Sequence, residues 1–111
     1  TSGILIDRSR PTTVKSRVIA HSQQVVRVDR EESKPIDSTL AAQISAVVGA
    51  KLETVRGAIV SDYAKGVIGP SLFELLKSAR ERGLTGVGKV PVLVDPKDPN
   101  FPLYHHATVV K

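Results

Sequence analysis

The sequence predicts an α/β fold made of a β-hairpin followed by part of a parallel sheet flanked by helices. Three observations carry this. Two stretches rich in Val, Thr and Ile lie near the start, with only His21-Ser22-Gln23 between them. Further on, the apolar runs 57–61 and 91–95 are continuous rather than alternating, as in strands buried on both faces. Between those runs lies a helical pattern, and the order strand, helix, strand belongs to a parallel sheet with a crossover helix.

The hairpin strands are read as Thr13 to Ala20 and Gln24 to Glu31. Alternation sorts their faces. Val14, Ser16, Val18 and Ala20 share one side of the first strand, opposite Lys15, Arg17 and Ile19. In the second, Gln24, Val26 and Val28 lie opposite Val25, Arg27 and Asp29. One apolar-leaning face and one charged face suit a sheet packed on one side. Thr1 to Ile6 also reads as strand.

Glu31 to Pro35 is a polar linker, and it divides residues 1–34, the hairpin region, from residues 35–111, the α/β region. Asp37 or Ser38 caps a helix by accepting a free backbone N–H. Leu40, Ala41, Ile44, Val47, Val48 and Leu52 follow at helical spacing. Gly49 weakens that helix by up to about 1 kcal/mol relative to Ala and blurs its end. Gly69-Pro70 opens a second helix, because Pro is tolerated where the N–H lacks a partner anyway. Its inner stripe is Leu72, Leu75, Leu76 and Ala79, and Gly83 closes it. Pro91 to Asp95 is the next strand, and Thr108-Val109-Val110 begins another.

With 111 residues there is room for one small domain. The 41% hydrophobic content places the chain among folded proteins. Aromatics are only 4%, so the core is expected to consist of Val, Ile, Leu and Ala. The absence of Cys excludes a disulfide frame and a thiolate metal site. No apolar run reaches the roughly 18 residues of a membrane span, and nothing at the start resembles a signal peptide. A cytoplasmic location, without a membrane partner, is the expectation. Neither end reads as a natural terminus, so the chain is expected to be an internal piece of a longer protein.

The net charge of +5 suits a nucleic acid, an anionic lipid or a phosphorylated small molecule. Nucleic acid is disfavoured, because the basic residues do not interleave with aromatics for base stacking and no recognition motif appears. Ligands of open parallel sheets bind beyond the carboxyl ends of the strands. Ser61-Asp62-Tyr63-Ala64-Lys65-Gly66 and Asp95-Pro96-Lys97-Asp98-Pro99-Asn100 stand there. In each, an acid that suits a metal ion or a hydroxyl precedes a Lys that suits a phosphate; turn chemistry alone accounts for the same residue types. Lys15, Arg17 and Arg27, with Asp29 alongside, form a basic hairpin face able to hold a phosphate, Arg by forked hydrogen bonds. A solvated outer face is the alternative. Gly83 to Lys89 imitates a P-loop, but Val90 stands where Ser or Thr is needed, and the segment follows a helix instead of opening one. His105 and His106 are adjacent, so their side chains should diverge, and no metal site is expected. No Ser-His-Asp arrangement or paired-carboxylate signature is present.

Arg10 to Ala20, then Gln23 to Glu31, resembles the lid hairpin of the heptose 7-phosphate kinases of the ribokinase-like PfkB carbohydrate kinase family. Ser61-Asp62-Tyr63-Ala64-Lys65-Gly66-Val67 and Val92-Leu93-Val94-Asp95-Pro96-Lys97 resemble two further segments of that family, with Phe101, Tyr104 and Ala107-Thr108 following in order. The resemblance covers nearly the whole chain. It implies a fragment of a ribokinase-like fold whose parent uses ATP and Mg2+ to phosphorylate C1 of heptose 7-phosphate, in ADP-heptose synthesis for lipopolysaccharide. It implies that Lys15, Arg17, Arg27, Asp29, Asp62 and Lys65 face the sugar phosphate. Asp95, Lys97 and Lys111 would lie near the nucleotide phosphates, and a homodimer would form through the lid. The family's Gly-rich sugar-binding segment and its Gly-Ala-Gly-Asp motif, whose Asp acts as base, are absent from these 111 residues. No catalytic residue is therefore assigned, and the isolated piece is expected to be inactive.

Overall fold

The computed structural model describes residues 3–83 and 89–111, without the side chains of Asp98 and Pro99. Most of the P-loop-like stretch, 84–88, lies outside the described residues, as do Thr1 and Ser2.

Strands β1 (Val14–Ala20) and β2 (Gln23–Arg30) form an antiparallel hairpin. Helix α1 (Ser38–Leu52) follows, then β3 (Ala58–Ser61), α2 (Pro70–Arg82), β4 (Val92–Asp95), a 3-10 segment (Asp98–His106) and β5 (Val109–Val110). Strands β3, β4 and β5 form a parallel sheet in that order. The α/β reading is borne out.

The hairpin turn has two residues, not three. His21 and Ser22 adopt φ of 47° and 66°, the left-handed pair that matches the twist of flanking strands, and Gln23 joins β2 opposite Ala20. The register shifts between Val18 and Ile19, which pair with Val26 and Gln24, so Val25 is the extra residue of a bulge. Lys15 faces Asp29 and Arg17 faces Arg27, so the charged face forms as alternation predicts. The expectation of packing on one side fails: every residue of β1 is exposed, and so is all of β2 but Asp29. Nothing among the described residues lies over the face of Val14, Val18, Val26 and Val28. The radius of gyration is 16.9 Å, against about 13 Å for a compact chain of this length. A projecting hairpin accounts for the 58 Å long axis.

Residues 4–7 pair with no strand, contrary to their β-like composition. Gly3, Leu5, Asp7 and Arg10 instead line a small hollow with Ile36, Leu40, Ile44 and Val67, beside α1. Asp37 caps α1, its Oδ1 accepting the Leu40 N–H at 2.8 Å. The helix runs through Gly49 without a break.

The core lies on one face of the parallel sheet. Val60, Val92 and Val94 point into it, and Leu72, Phe73, Leu76 and Ala79 of α2 meet them with Leu52, Val90 and Tyr104. This corrects the expectation of an aliphatic core. Tyr104 is among the most buried side chains, 5.3 Å from Phe73 and 5.9 Å from Phe101 between ring centroids. Phe73, rather than Leu75, completes the fully buried stripe of α2. On the other face, Ile59, Leu93 and Val109 stand in one register row and are exposed.

His105 and His106 do not diverge. A 3-10 turn brings their ring centroids to 3.9 Å, and His105 Nδ1 lies 2.9 Å from the Pro102 carbonyl.

Candidate functional site

Parallel pairing puts the ends of the sheet strands on one edge. Ser61 pairs with Asp95 and Val94 with Val110, and the Asp62 and Lys111 N–H groups donate to the Asp95 and Val94 carbonyls at 2.9 and 3.0 Å. Asp62, Asp95, Lys97 and Lys111 therefore share the edge where such sheets hold ligands.

Asp62 is buried, and its carboxylate accepts three hydrogen bonds. Oδ2 takes the Tyr104 hydroxyl at 2.6 Å and Asn100 Nδ2 at 2.7 Å, and Oδ1 takes the Ala64 N–H at 2.7 Å. The last bond holds Ala64 at φ 53°, a conformation costly for a residue with a Cβ. Burial pushes the Asp62 carboxyl up, but the bonds from Tyr104, Asn100 and Ala64 outweigh it and hold the group below its ordinary range. Burial and the adjacent carboxylate push Tyr104 up to about 12. Asp62 thus organises the loop after β3 and ties it to the 3-10 segment.

The same loop is clasped to the linker. Arg10 donates to the Lys65 carbonyl at 2.7 Å and to the Lys34 carbonyl, while its Nε lies 3.1 Å from Asp7. The Ile36 N–H donates to the Gly66 carbonyl at 2.9 Å. Gly66 has φ 73°, and a Cβ there would stand 1.9 Å from the Lys34 carbonyl oxygen, so only glycine fits.

This clasp brings the hairpin's charged face to the sheet edge. Arg27 Nε lies 3.0 Å from Asp29 Oδ1, and Lys15 Nζ is 2.7 Å from Asp29 Oδ2 and 3.7 Å from Glu31 Oε2. Glu31 Oε1 accepts from Lys65 Nζ. Lysines on both bodies thus share the Glu31 carboxylate. Lys15 holds the Asp29 carboxyl below its ordinary range, and Lys65 does the same for Glu31, despite some burial of each acid. Arg17 enters no ion pair among the described residues and stands directly opposite Arg27. Like charges in that position repel, so an anion placed between them would be stabilised.

Arg27, Asp29, Lys15, Glu31 and Lys65 are therefore joined in that order in one alternating chain of charge, with Arg17 beside it. Asp95, Lys97 and Lys111 are exposed at the strand ends and enter no ion pair among the described residues. Among the described residues no three His, Asp or Glu side chains converge as ligands for an ion. An apolar cavity of about 710 Å3 opens between α1 and the start of α2, lined by Ile36, Ile44, Val67, Leu72 and Leu103 among others.

Sequence reasoning missed Arg10, Glu31, Asn100 and Tyr104 as builders of this region. Only the linker's acidic start hinted at Glu31. Lys65, the hydrogen-bond partner of Glu31, and Asn100 and Tyr104, the side-chain partners of Asp62, lie 34 to 42 residues away from them, beyond any local pattern.

No helix among the described residues is long and apolar enough to cross a membrane. No family model matches the chain. The chain is 38% identical over 110 residues to Bifunctional protein HldE of Helicobacter pylori (strain J99), covering 99% of this chain and 23% of that protein. It is 38% identical over 112 residues to the Wolinella succinogenes protein of the same name, covering 97% and 22%. For the Helicobacter acinonychis protein, also Bifunctional protein HldE, the figures are 34% over 110 residues, 99% and 23%. The chain spans less than a quarter of the length of these curated relatives, and over nearly all of its own length it is similar to a stretch of Bifunctional protein HldE.

Proposed function

We propose that this chain is the lid and part of the ligand edge of an ATP-dependent PfkB-type sugar kinase, acting on C1 of heptose 7-phosphate within a longer HldE-like polypeptide. The chain of charge that joins Lys15 on the hairpin to Lys65 on the sheet edge through Glu31 carries the reading. It gathers cations from two elements at the edge where an open parallel sheet receives ligands.

On this reading Lys15, Arg17, Arg27 and Lys65 neutralise the sugar's phosphate, and Asp29 orients Lys15 and Arg27. Asp62 shapes the loop that carries Lys65. Lys97 and Lys111, with Asp95, lie toward the nucleotide phosphates. ATP arrives with magnesium as substrate. Phosphoryl transfer rests on positioning and charge stabilisation, and these residues supply part of both. The proton on the acceptor hydroxyl needs a base, and the Gly-Ala-Gly-Asp stretch that would provide it is not among the 111 residues. The exposed valine face of the hairpin suits a clasp between two copies.

The test is a coupled kinase assay on the full-length polypeptide with ATP and heptose 7-phosphate. Product carrying a new phosphate at C1 is expected, with no turnover by residues 1–111 alone and at least tenfold loss of kcat/KM in Lys65→Met. Turnover with a different sugar only would move the chain to another PfkB kinase. No turnover with any sugar would leave it a non-catalytic interaction module.

A further inference from the structure

The Lys65–Glu31–Lys15 bridge has a consequence for how an anion enters. One oxygen of Glu31 accepts from the Lys65 ammonium on the sheet-edge loop, and the other lies 3.7 Å from the Lys15 ammonium on the hairpin, an ion pair without a hydrogen bond. A phosphate monoester offers the same thing, a pair of anionic oxygens able to span two cations. Asp29 is placed differently. Both its cations, Lys15 and Arg27, belong to the hairpin, so it braces that element internally. Among the described residues, Glu31 is the acid whose ion pairs cross from the hairpin to the sheet edge. Its pairs are partly exposed, the Lys15 side chain at 41% and the Lys65 side chain at 34%. Exposed pairs of this kind contribute little, so a more highly charged anion can compete for the two cations.

We propose that Glu31 is a resident stand-in for the ligand's phosphate. It holds Lys15 and Lys65 together until a phosphate takes the two cations from it, and it thereby selects for ligands with a full phosphate dianion over weaker anions. The proposal rests on the kinase reading, in which these lysines receive the sugar's phosphate. Release of Glu31 also removes an ion pair tethering β2 to the Lys65 loop, so ligand binding changes the hairpin's attachment.

The probe is inorganic phosphate, titrated calorimetrically into the full-length polypeptide and into Glu31→Gln and Lys65→Met. Removing the competing carboxylate should tighten phosphate binding about two- to fivefold, the scale of an exposed ion pair. Lys65→Met should weaken it. Unchanged or weaker binding in Glu31→Gln, alongside weaker binding in Lys65→Met, would overturn the stand-in role and leave the cation site intact. No effect of either substitution would remove the cation site and the kinase reading with it. A wild-type measurement covers the case in which Glu31→Gln does not fold. Phosphate should speed amide hydrogen exchange at 31–34 relative to chloride at equal ionic strength, and equal exchange would overturn the proposal.

Discussion

Tyr104 carries a hydroxyl into a buried position and gives its hydrogen bond to a charged carboxylate, which makes it the most consequential polar side chain of the core. Tyr104→Phe keeps the ring contacts with Phe73 and Phe101 but removes one of three donors to Asp62. A bond of this kind contributes about 1.5–3 kcal/mol. The loss should be fully present below pH 10. A tyrosine whose folded pKa is raised adds stability that disappears as pH climbs through that pKa, so the gap between wild type and variant should shrink from pH 10 toward 12. Urea unfolding across that range checks it; a constant gap would mean that the hydroxyl is not held by Asp62. None of this was legible in the sequence. A low aromatic fraction argued against rings in the core, yet a few rings placed where α2 crosses the 3-10 segment suffice to fill it. Asp62 stood out as an acid after a strand, but its partners fold in from Asn100 and Tyr104.

Among the elements, α1 was the most legible, because capping and 3.6-residue periodicity are local properties. Its weak point is also local. Gly49 sits inside the helix, and an added Cβ would meet only Leu75 methyl groups at 3.9 Å, an ordinary contact. Gly49→Ala should therefore stabilise the protein by about 0.5–1 kcal/mol, read as a rise in the urea midpoint with unchanged slope. A fall would mean that α1 and α2 pack closer than that contact indicates. The hairpin's faces were equally readable from alternation, whereas its turn was not. His21-Ser22 lacks the Asn-Gly signature of a two-residue turn, and the bulge at Val25 leaves no mark in composition.

At the scale of the whole molecule, the described residues cover the sheet on one side only. Parallel sheets are ordinarily covered on both, and here Ile59 is 80% exposed, Val109 50% and Leu93 39%. Continuous apolar runs forecast strands buried twice over, and the described residues supply one of the two layers. Residues 1–111 produced alone should consequently self-associate and bind a hydrophobic dye, and Ile59→Thr with Val109→Thr should reduce both effects. Sedimentation showing a monodisperse, dye-free monomer would contradict this.

The clasp at Arg10, Lys34 and Gly66 is also a fulcrum. Seven residues of β1 extend about 24 Å, so a tilt of roughly 10° at the base of the two strands would swing the His21-Ser22 tip through an arc of about 4 Å. Minor adjustments at the base are thus magnified at the far end, so the residues that clasp the linker set where the His21-Ser22 tip stands.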